Sequence, residues 1–368
     1  MQTIIYFAGD RWDRVAGTDR RLVAALSENS AVIWVDPPLS IWELRRGPKS
    51  VQPRRVEVMP NVIRLRTFAP PFASRRFVRA LLPGILGSSV RRAVRTLRSR
   101  VLAVVVASPR ATFPSRVAGA RVLYITDDWV AGAGLMGLDA GAVGRTLARN
   151  LVRASVIATV TPHLQQKLAN DFGAEAVVLA NGCDPVEYLP PIALRRPIAG
   201  LVGQLNERLD LSLLEAVQQA GVPILVIGPR TDRDPEVAVR LDRFLASDGV
   251  TWLGEVPYTK LPGHLASVSV GLTPYIDSEF NRSSFPLKTL EYLASGLRVV
   301  ATDLPAVRWL ETEHVGIAAE PSSFAALVSL SVAAQNTAED GICRRDFARQ
   351  HSWTARAEQL RALISYAR

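Results

Sequence analysis

Short apolar runs alternate with amphipathic stretches along almost the whole chain, and this rhythm strongly constrains the fold. Runs such as "TIIYFAG" and "VLAVVVAS" have the length of buried strands, whereas "TDRRLVAALSEN" has apolar residues at helical spacing, with Thr18 or Asp19 as its cap. Strands that alternate with helices predict parallel sheets in α/β domains.

The rhythm restarts at "IAGLVGQ", after a proline-rich segment near residues 187–197, and 368 residues are too many for one core. We therefore predict two doubly wound, Rossmann-like α/β domains that face each other across a cleft. They span residues 1–187 and 198–345, and a C-terminal helix within 346–368 packs back on the first domain. Ligands of such sheets bind beyond the carboxyl ends of the strands.

Positive charge is concentrated in the first domain. Residues 1–190 hold 26 Lys and Arg against 14 Asp and Glu, a net charge of +12, whereas residues 191–368 have a net charge of −2. Between Ser40 and Arg116, 17 basic residues accompany only Glu43 and Glu57. This asymmetry predicts an anionic partner for the first domain.

Several protein classes are disfavoured by the sequence. Cys183 and Cys343 are too few for a disulfide framework or a zinc site, and a reducing cytoplasm suits them. No apolar run approaches the roughly 20 residues of a membrane helix. The N-terminus has no basic, apolar leader, so we expect no signal peptide.

The segment "NRSSFPLKTLEYLASGLRVVATDLPAV" holds the most chemical information. It predicts a helix that begins at about Pro286, with Ser283 and Ser284 available to cap it, and a strand after Gly296. The free amides of a helix N-terminus suit a diphosphate. Lys288 would add charge there, and Glu291 would accept both hydroxyls of a ribose. A plain strand–helix–strand unit with a solvated Lys288 and Glu291 is the alternative.

This segment resembles the donor site of group 1, family 4-type GT-B glycosyltransferases, with their pattern "P…E-x7-E…G.PVVAT". Its "FPLKTLEYLASG" is similar to a bacterial cell-surface polysaccharide subset of that family. Good coverage runs from about Val122 to the end. Other pieces that resemble the family in the same order are "NGCDPVEY", "GLVGQLNERLDLSLLEAV", "ILVIGPR", "VTWLGEVPYTKLPGHLASVSVGLTPY" and "FARQHSWTARAEQL".

The resemblance implies an enzyme that moves a hexose-type sugar from a UDP-, GDP- or dTDP-sugar donor to an acceptor, with retention of configuration. The first domain would be the acceptor side and the second would bind the nucleotide-sugar. The acceptor would be a glycan or a lipid-linked molecule, and no metal or other cofactor would be required. A nucleotide-sugar 2-epimerase of the same fold and an inactive GT-B scaffold are the alternatives.

Individual roles follow from the resemblance. Glu291 matches the glutamate that holds the ribose, and Gly203 matches the loop glycine. Arg208 lies close to the position of the lysine that binds the diphosphate, with one residue missing between them. The loop whose backbone meets the base is matched by Gly254, Glu255 and Val256.

The chain departs from the family at two positions. Gln204 stands in place of an arginine, and Ser283 stands in place of the first glutamate, which touches the sugar. Asn281 or Glu279 would substitute for that glutamate, and Lys288 would supply the missing cation. Ser284 would contribute its amide.

Two segments of the first domain are candidates for the acceptor side. "YITDDW" places Asp127 and Asp128 at the end of a predicted strand, where a carboxylate acts either as a base or as a helix cap. "GDRWDRVAGTD" follows the first strand, and Arg11, Trp12 and Asp13 are candidates for acceptor contacts. An ordinary polar loop is the alternative there.

The arginine-rich segments "RRFVRALLPGILG" and "SSVRRAVRTLRSRV" mix basic and apolar residues at helical spacing, which suits the surface of an anionic membrane. We predict a cytoplasmic protein, peripheral at the inner face of the cell membrane, and no nucleic-acid partner. A solvated arginine-rich surface is the alternative. Asp232 and Asp234 in "DRD" resemble a metal-binding motif, but we interpret them as a cap or a solvated loop.

Overall fold

The computed structural model describes residues 2–14, 17–39, 54–69, 76–98, 100–184 and 195–367, with side chains of the helix that begins at Arg76 described from Pro83 onward. The chain forms two compact units. Unit 1 comprises Met1–Gly182 and Trp353–Arg368, and unit 2 comprises Cys183–Ser352. Most of the predicted linker, residues 187–197, lies outside the described residues.

Unit 1 is built on an eight-stranded sheet in the described residues, in the order β3-β4-β2-β1-β5-β6-β7-β8. All neighbours pair in parallel except β3 with β4. The strands are β1 (Gln2–Phe7), β2 (Ala31–Val35), β3 (Arg55–Met59), β4 (Val62–Leu65), β5 (Arg100–Val106), β6 (Ala120–Ile125), β7 (Val156–Thr159) and β8 (Val177–Val178).

The hairpin of β3 and β4 differs from the sequence-based expectation. Asn61 turns the chain with a φ of 62°, and antiparallel pairing sets Arg55 beside Leu65. Apolar and polar residues alternate in "NVIRLRTF", which predicts a strand with one solvent-exposed face, but Arg64 of β4 is only 5% exposed. Its guanidinium is buried because its Nε donates to Asp36 Oδ2 at 2.7 Å.

Helices flank the unit 1 sheet. They are α1 (Thr18–Ser27), α2 (Arg76–Thr96), α3 (Ala140–Leu151), α4 (Pro162–Phe172) and the last helix of the chain, Trp353–Tyr366. That last helix packs against α1, and Arg361 Nη2 donates to Ala25 O at 3.2 Å. The prediction that Thr18 or Asp19 caps α1 was wrong. The N-cap is Gly17, and the Asp19 carboxylate binds elsewhere, as described below.

Unit 2 has a six-stranded parallel sheet in the described residues, in the order β11-β10-β9-β12-β13-β14. Counted within the unit, this is the order 3-2-1-4-5-6 of a doubly wound nucleotide-binding sheet. The strands are β9 (Ala199–Val202), β10 (Ile224–Ile227), β11 (Val250–Trp252), β12 (Val270–Thr273), β13 (Arg298–Thr302) and β14 (Val315–Ala318).

The helices of unit 2 cover its sheet and close its core. They are α5 (Leu211–Gln219), α6 (Pro235–Leu245), α7 (Leu261–Leu265), α8 (Glu279–Ser283), α9 (Leu287–Ala294), α10 (Pro305–Arg308), α11 (Pro321–Ala333) and α12 (Ala338–Arg349), and the terminal helix of unit 1 is therefore α13. Leu213 and Leu214 of α5 are fully buried with Phe324 of α11 against the strands.

The prediction of two doubly wound α/β domains is confirmed. In the part of the chain that the structure describes, no helix has the length and apolar character needed to cross a bilayer.

Candidate functional site

The topology of unit 2 fixes one place for a ligand. β9 and β12 are neighbours in the middle of the sheet, and the strand order reverses between them. The loops that follow them, residues 203–210 and 274–286, therefore lie side by side at the carboxyl edge. In doubly wound sheets a ligand binds at this switch point.

Glycines allow the strand ends to approach closely at this edge. Gly203 N donates to Ile227 O at 2.9 Å, and Gly228 N donates to Gly254 O at 2.8 Å. Gly203 has a φ of 152° with open space where a Cβ would stand, so its backbone faces outward. The end of β9 thus leaves space for a ligand to approach its main chain, although Gly203 N itself is engaged with Ile227 O.

Arg208 is held in one orientation between the two loops. Its Nε donates to Asn281 Oδ1 at 2.9 Å, and its guanidinium lies over the rings of Tyr275 and Phe280, at 5.1 Å and 4.8 Å from their centroids. Its backbone N also donates to Asn206 Oδ1 at 3.1 Å. The structure describes no carboxylate within 4.0 Å of this guanidinium, so its charge is available to an anionic ligand.

Asn281 connects the two loops through its side chain. The residue is 2% exposed, and its Nδ2 donates to Arg208 O at 3.2 Å and to Ile276 O at 3.0 Å. Because its amide is engaged with the loop and with Arg208, its geometry suits a positioning role. A direct contact between Asn281 and the sugar stays a prediction.

Ser283 and Ser284 were expected to cap the helix that follows them, and this was wrong. The separate short helix α8 ends at Ser283, and Ser284 is its C-cap. Ser284 Oγ donates back to Phe280 O at 2.9 Å, and Pro286 is the N-cap of α9. Ser283 is fully buried, so its side chain packs inside the loop.

The start of α9 carries the charged groups that the sequence analysis selected. Pro286 has no capping side chain, and Leu287 N donates to Phe285 O at 2.8 Å, so the amides of Lys288 and Thr289 are the first-turn donors left for an anion. Lys288 Nζ lies 2.5 Å from Glu291 Oε2, with both side chains partly exposed. A carboxylate has about four acceptor positions, so this ion pair leaves Glu291 able to accept ribose hydroxyls.

A buried tyrosine fixes α9 against the sheet. Val202 N, at the end of β9, donates to Tyr292 Oη at 2.7 Å. A Cβ on Gly271 of β12 would lie 2.3 Å from the Tyr292 ring, so glycine is required there. Burial raises the pKa of the Tyr292 hydroxyl well above its usual range, which keeps it neutral. Lys288 and Glu291 are thereby held beside the end of β9.

We expect Glu291→Ala to weaken binding of UDP, GDP or dTDP, whichever nucleotide the protein binds, by about 2 kcal/mol, or roughly 30-fold in Kd. The reason is the loss of charge-assisted hydrogen bonds to the ribose. Calorimetric titration measures it, and the exposed Glu313 provides a control, Glu313→Ala, that should keep wild-type affinity. Unchanged affinity in a folded Glu291→Ala protein would remove Glu291 from the site.

The loop expected to meet the base follows β11 at the edge of the unit 2 sheet. Gly254 has a φ of 69° and accepts from Gly228 N, which ties this loop to the end of β10. Glu255 is exposed and Val256 is partly exposed. The loop therefore stands at the carboxyl edge two strands from Gly203, and its contact with a base stays a prediction.

The two carboxylates of the "DRD" sequence have structural partners. Asp232 forms an ion pair with Arg230 at 2.9 Å, which holds the pKa of Asp232 below its usual range. Asp234 is the N-cap of α6 and accepts from Glu236 N at 2.8 Å. Among the described residues, no group of three or more His, Cys, Asp or Glu is arranged to hold a metal ion.

In unit 1, the loop after β1 is organised by a carboxylate that the sequence analysis missed. Asp36 is 2% exposed and accepts from Trp12 N at 3.1 Å and from Trp34 Nε1 at 2.8 Å, in addition to its bond with Arg64. The Trp12 ring meets Trp34 edge to face at 5.1 Å. We name Asp36 and its three donors, Trp12, Trp34 and Arg64, the Asp36 hub. The only sequence signal for it was an aspartate that directly follows a buried strand.

The three acceptor candidates differ in their surroundings. Trp12 is held by the Asp36 hub, and Arg20 lies over its ring at 4.7 Å. Asp13 is 3.1 Å from Arg64, and although partial burial opposes it, this guanidinium holds the pKa of Asp13 below its usual range. Arg11 is half-buried, and its backbone N donates to Asp10 Oδ1 at 2.8 Å. Their contact with an acceptor stays a prediction.

Asp19 is a second carboxylate at this loop, and it is half-buried. Its Oδ1 accepts from Tyr6 Oη at 2.7 Å and its Oδ2 accepts from Gly9 N at 2.8 Å. Burial raises the pKa of Asp19 to about 6, because no cation offsets the loss of hydration. Asp19 thus positions the turn that follows β1.

The raised pKa of Asp19 predicts a pH dependence of stability. Between about pH 4 and pH 6 the folded state binds more protons at Asp19 than the unfolded state does. Its contribution to the free energy of unfolding is therefore greatest below pH 4, and about 3 kcal/mol is lost as the pH rises through 6.

Denaturant unfolding from pH 4 to pH 8 measures this loss. We expect Asp19→Asn to remove that part of the decline, whereas the exposed Glu175→Gln control keeps it. Parallel curves for wild type and Asp19→Asn would show that Asp19 does not titrate in this range.

The paired aspartates after β6 separate in the structure. Asp128 is 4% exposed, and its Oδ1 accepts from Val130 N and Ala131 N at 3.2 Å and 3.0 Å. It therefore caps the following turn, which was one of the two interpretations of this pair. Asp127 is half-buried and is the carboxylate of the pair that is better placed to act on a ligand.

Comparison with known proteins agrees with this geometry. The family described as glycosyl transferases group 1 matches residues 196–332, which hold the unit 2 site. The putative teichuronic acid biosynthesis glycosyltransferase TuaH of Bacillus subtilis (strain 168) is 29% identical over 170 residues. That match covers 44% of this chain and 42% of TuaH, so the chain matches less than half the length of this relative.

Two solved structures share the fold over the whole chain. Sucrose-phosphate synthase from Thermosynechococcus elongatus aligns with a TM-score of 0.70 at 16% identity, covering 100% of this chain and 99% of that one. Anabaena HepE, solved in complex with UDP and glucose, aligns with a TM-score of 0.66 at 14% identity, covering 98% and 99%.

The fold of the chain is therefore that of the GT-B proteins. Residues 196–332 of unit 2 match the group 1 glycosyltransferase family, which is also the region that holds the site described above.

Proposed function

We propose that this protein transfers a hexose-type sugar from a UDP-, GDP- or dTDP-sugar to a glycan or lipid-linked acceptor, with retention of configuration. One observation carries the proposal. Arg208 has no carboxylate partner in the described residues and is fixed by Asn281 at the switch point of a group 1 domain. A fixed cation beside bare main chain at Gly203 is the arrangement that a departing diphosphate needs.

The chemistry follows from charge that develops on the leaving diphosphate. Arg208, Lys288 and the first-turn amides of α9 would stabilise that charge without a metal ion. In a retaining reaction the departing phosphate itself can accept the acceptor proton. An inverting enzyme would need a side-chain base, and Asp127 would be our choice, because Asp128 is engaged as a cap.

The function is tested by incubation with UDP-, GDP- and dTDP-sugars, with short glycans and polyprenyl-diphosphate-linked sugars as acceptors, in buffer containing EDTA. Nucleotide release that requires an acceptor supports transfer. A changed sugar without an acceptor identifies the 2-epimerase, and the absence of nucleotide binding identifies a scaffold. A strict requirement for Mg²⁺ or Mn²⁺ would show that Asp232 and Asp234 bind metal after all.

We also propose that unit 1 attaches to an anionic membrane surface from the cytoplasmic side. In the described part of α2, Leu86, Val90 and Ala93 face the core, whereas Arg92 and Arg95 are exposed. This exposed face is basic and not apolar, which suits electrostatic attachment without insertion. Each basic residue near such a surface contributes about 1 kcal/mol, and this attraction decays within a Debye length.

We expect the protein to sediment with vesicles rich in phosphatidylglycerol or cardiolipin but not with phosphatidylcholine vesicles. High salt should release it from the anionic vesicles. Replacing five arginines by Gln should reduce binding, namely Arg75, Arg76, Arg79, Arg91 and Arg92. Of these, Arg75 and the side chains of Arg76 and Arg79 lie outside the described residues. The control replaces five exposed arginines of unit 2, namely Arg233, Arg240, Arg243, Arg308 and Arg349. Equal binding to both vesicle types, or to neither, would leave the basic surface solvated.

A further inference from the structure

A large cavity lies on unit 1, at the carboxyl end of β4. Its volume is about 670 Å³, and four arginines line it, namely Arg54, Arg55, Arg66 and Arg92. Two strands and one helix bring them together. Antiparallel pairing sets the start of β3 beside the end of β4, where Arg66 N donates to Arg54 O at 2.9 Å, and α2 supplies Arg92. We name this cavity the arginine pocket.

The positive charge of the arginine pocket is largely uncompensated. Its described lining includes no Asp or Glu. Arg66 Nη2 is 3.9 Å from Asp13, and no carboxylate of the described residues lies within 4.0 Å of Arg54, Arg55 or Arg92. In contrast, Arg64 on the same hairpin is paired with Asp36 at 2.7 Å. Four cations around one concavity concentrate a positive potential in it and attract an anion.

The other residues of the arginine pocket define the ligand further. The hydroxyl group of Ser89 lines it and can donate to anionic oxygens, whereas the hydroxyls of Thr67 and Ser88 already donate to Asp36 O and Ile85 O, at 3.0 Å and 2.8 Å. Phe68 and Ile85 add apolar surface. The guanidinium of Arg54 lies 5.2 Å from the centre of the Phe68 ring, which restricts its orientation before any ligand arrives.

We propose that the arginine pocket binds a phosphate or diphosphate group. Planar guanidinium groups bind phosphate oxygens through paired hydrogen bonds, and four of them around one cavity supply more donors than a single carboxylate can accept. The ligand is separate from the sugar donor proposed for unit 2. The diphosphate comes either from a soluble phosphorylated molecule or from a lipid diphosphate, whose chain would contact the apolar lining.

The test is a calorimetric titration with inorganic pyrophosphate. Pyrophosphate also suits the donor site, so the titration uses the full chain with Arg208→Ala and Lys288→Ala as its background. In that background we expect binding that Arg54→Gln with Arg92→Gln weakens at least tenfold. The control is Arg95→Gln with Arg100→Gln, which removes the same charge from two exposed arginines that line a different depression of unit 1.

Equal weakening by both double variants, or no binding in the background, would overturn the proposal and leave a diffuse basic surface. Near-ultraviolet circular dichroism confirms that each variant is folded. A site-resolved measurement uses the unsubstituted protein: pyrophosphate should protect Arg54 and Arg92 from phenylglyoxal, but not Arg95 and Arg100. The same protection at all four arginines would also contradict a built site.

A second ligand identifies the source of the phosphate. Geranyl diphosphate that binds at least tenfold more tightly than pyrophosphate, with the same protection of Arg54 and Arg92, supports a lipid diphosphate. Equal affinity supports a soluble phosphorylated ligand. Neither titration involves sugar transfer. A negative result for the arginine pocket would therefore not contradict the proposed transferase activity, and absence of that activity would not contradict phosphate binding in the arginine pocket.

Discussion

Replacing Arg208 by Ala should lower the turnover of sugar transfer by about 100-fold, or about 2.7 kcal/mol of transition-state stabilisation. The guanidinium is fixed by Asn281 and by the rings of Tyr275 and Phe280 before any donor binds. A cation held in this way needs no reorganisation when charge develops on the diphosphate. Steady-state release of the nucleotide measures the effect, and kcat should fall more than KM rises.

The matched control for Arg208 is Arg282→Ala. Arg282 lies on the neighbouring helix α8, is exposed, and forms an ion pair with Asp277 at 2.5 Å, so turnover should stay near wild type. Asn281→Ala should give an intermediate loss of kcat, because it frees Arg208 without removing the charge. If Arg208→Ala and Arg282→Ala lose turnover equally, local charge and not a positioned cation matters at this loop.

Replacing Gly228 by Ala should destabilise unit 2 by about 4 kcal/mol or more, among the largest effects of a single substitution. A Cβ at this position would lie 1.8 Å from Gly203 O, which is backbone and cannot swing away. Gly228 also has a φ of 145°, which other residues rarely adopt. Urea unfolding followed by far-ultraviolet circular dichroism measures the loss, and the hydrogen bond from Trp252 Nε1 to Gly228 O at 3.0 Å lies in the region that the substitution disturbs.

Gly144→Ala is the opposite control. Gly144 lies inside α3, and a Cβ there would meet nothing within 4 Å. Alanine should therefore stabilise the protein by about 0.5–1 kcal/mol through its higher helix propensity. A loss below about 1 kcal/mol for Gly228→Ala would mean that the ends of β9 and β10 can separate at little cost.

Two doubly wound α/β domains could be predicted because most strands are continuous apolar runs that alternate with helices, but no strand order was predicted. β3 was missed because its sequence, "RVEVM", is short and two of its five residues are charged. The burial of Arg64 was missed for a related reason. The alternation along β4 predicts that one of its faces is exposed to solvent. The Arg64 guanidinium can be buried there only because Asp36, 28 residues away in the sequence, accepts a hydrogen bond from it.

Only part of the candidate site could be predicted from the sequence. The resemblance selected Arg208 and the helix start, but the bond between Arg208 and Asn281 joins residues 73 positions apart, and no local pattern predicts such a contact. The pair of Lys288 and Glu291 was readable from its spacing of three residues on a helix. We interpreted both residues as ligands of the donor and did not consider that they also bind each other.

The edges of the unit 1 sheet have a consequence for how the protein behaves at high concentration. One outer strand, β3, is short, mostly exposed, and begins at Arg55 with Glu57 on the same strand. The opposite outer strand, β8, has only two residues. Exposed strand edges are templates on which another chain can add, and charge and brevity both discourage such addition. A broad, mostly parallel sheet with a strongly apolar interior is therefore protected at both edges that the structure describes against edge-to-edge self-association.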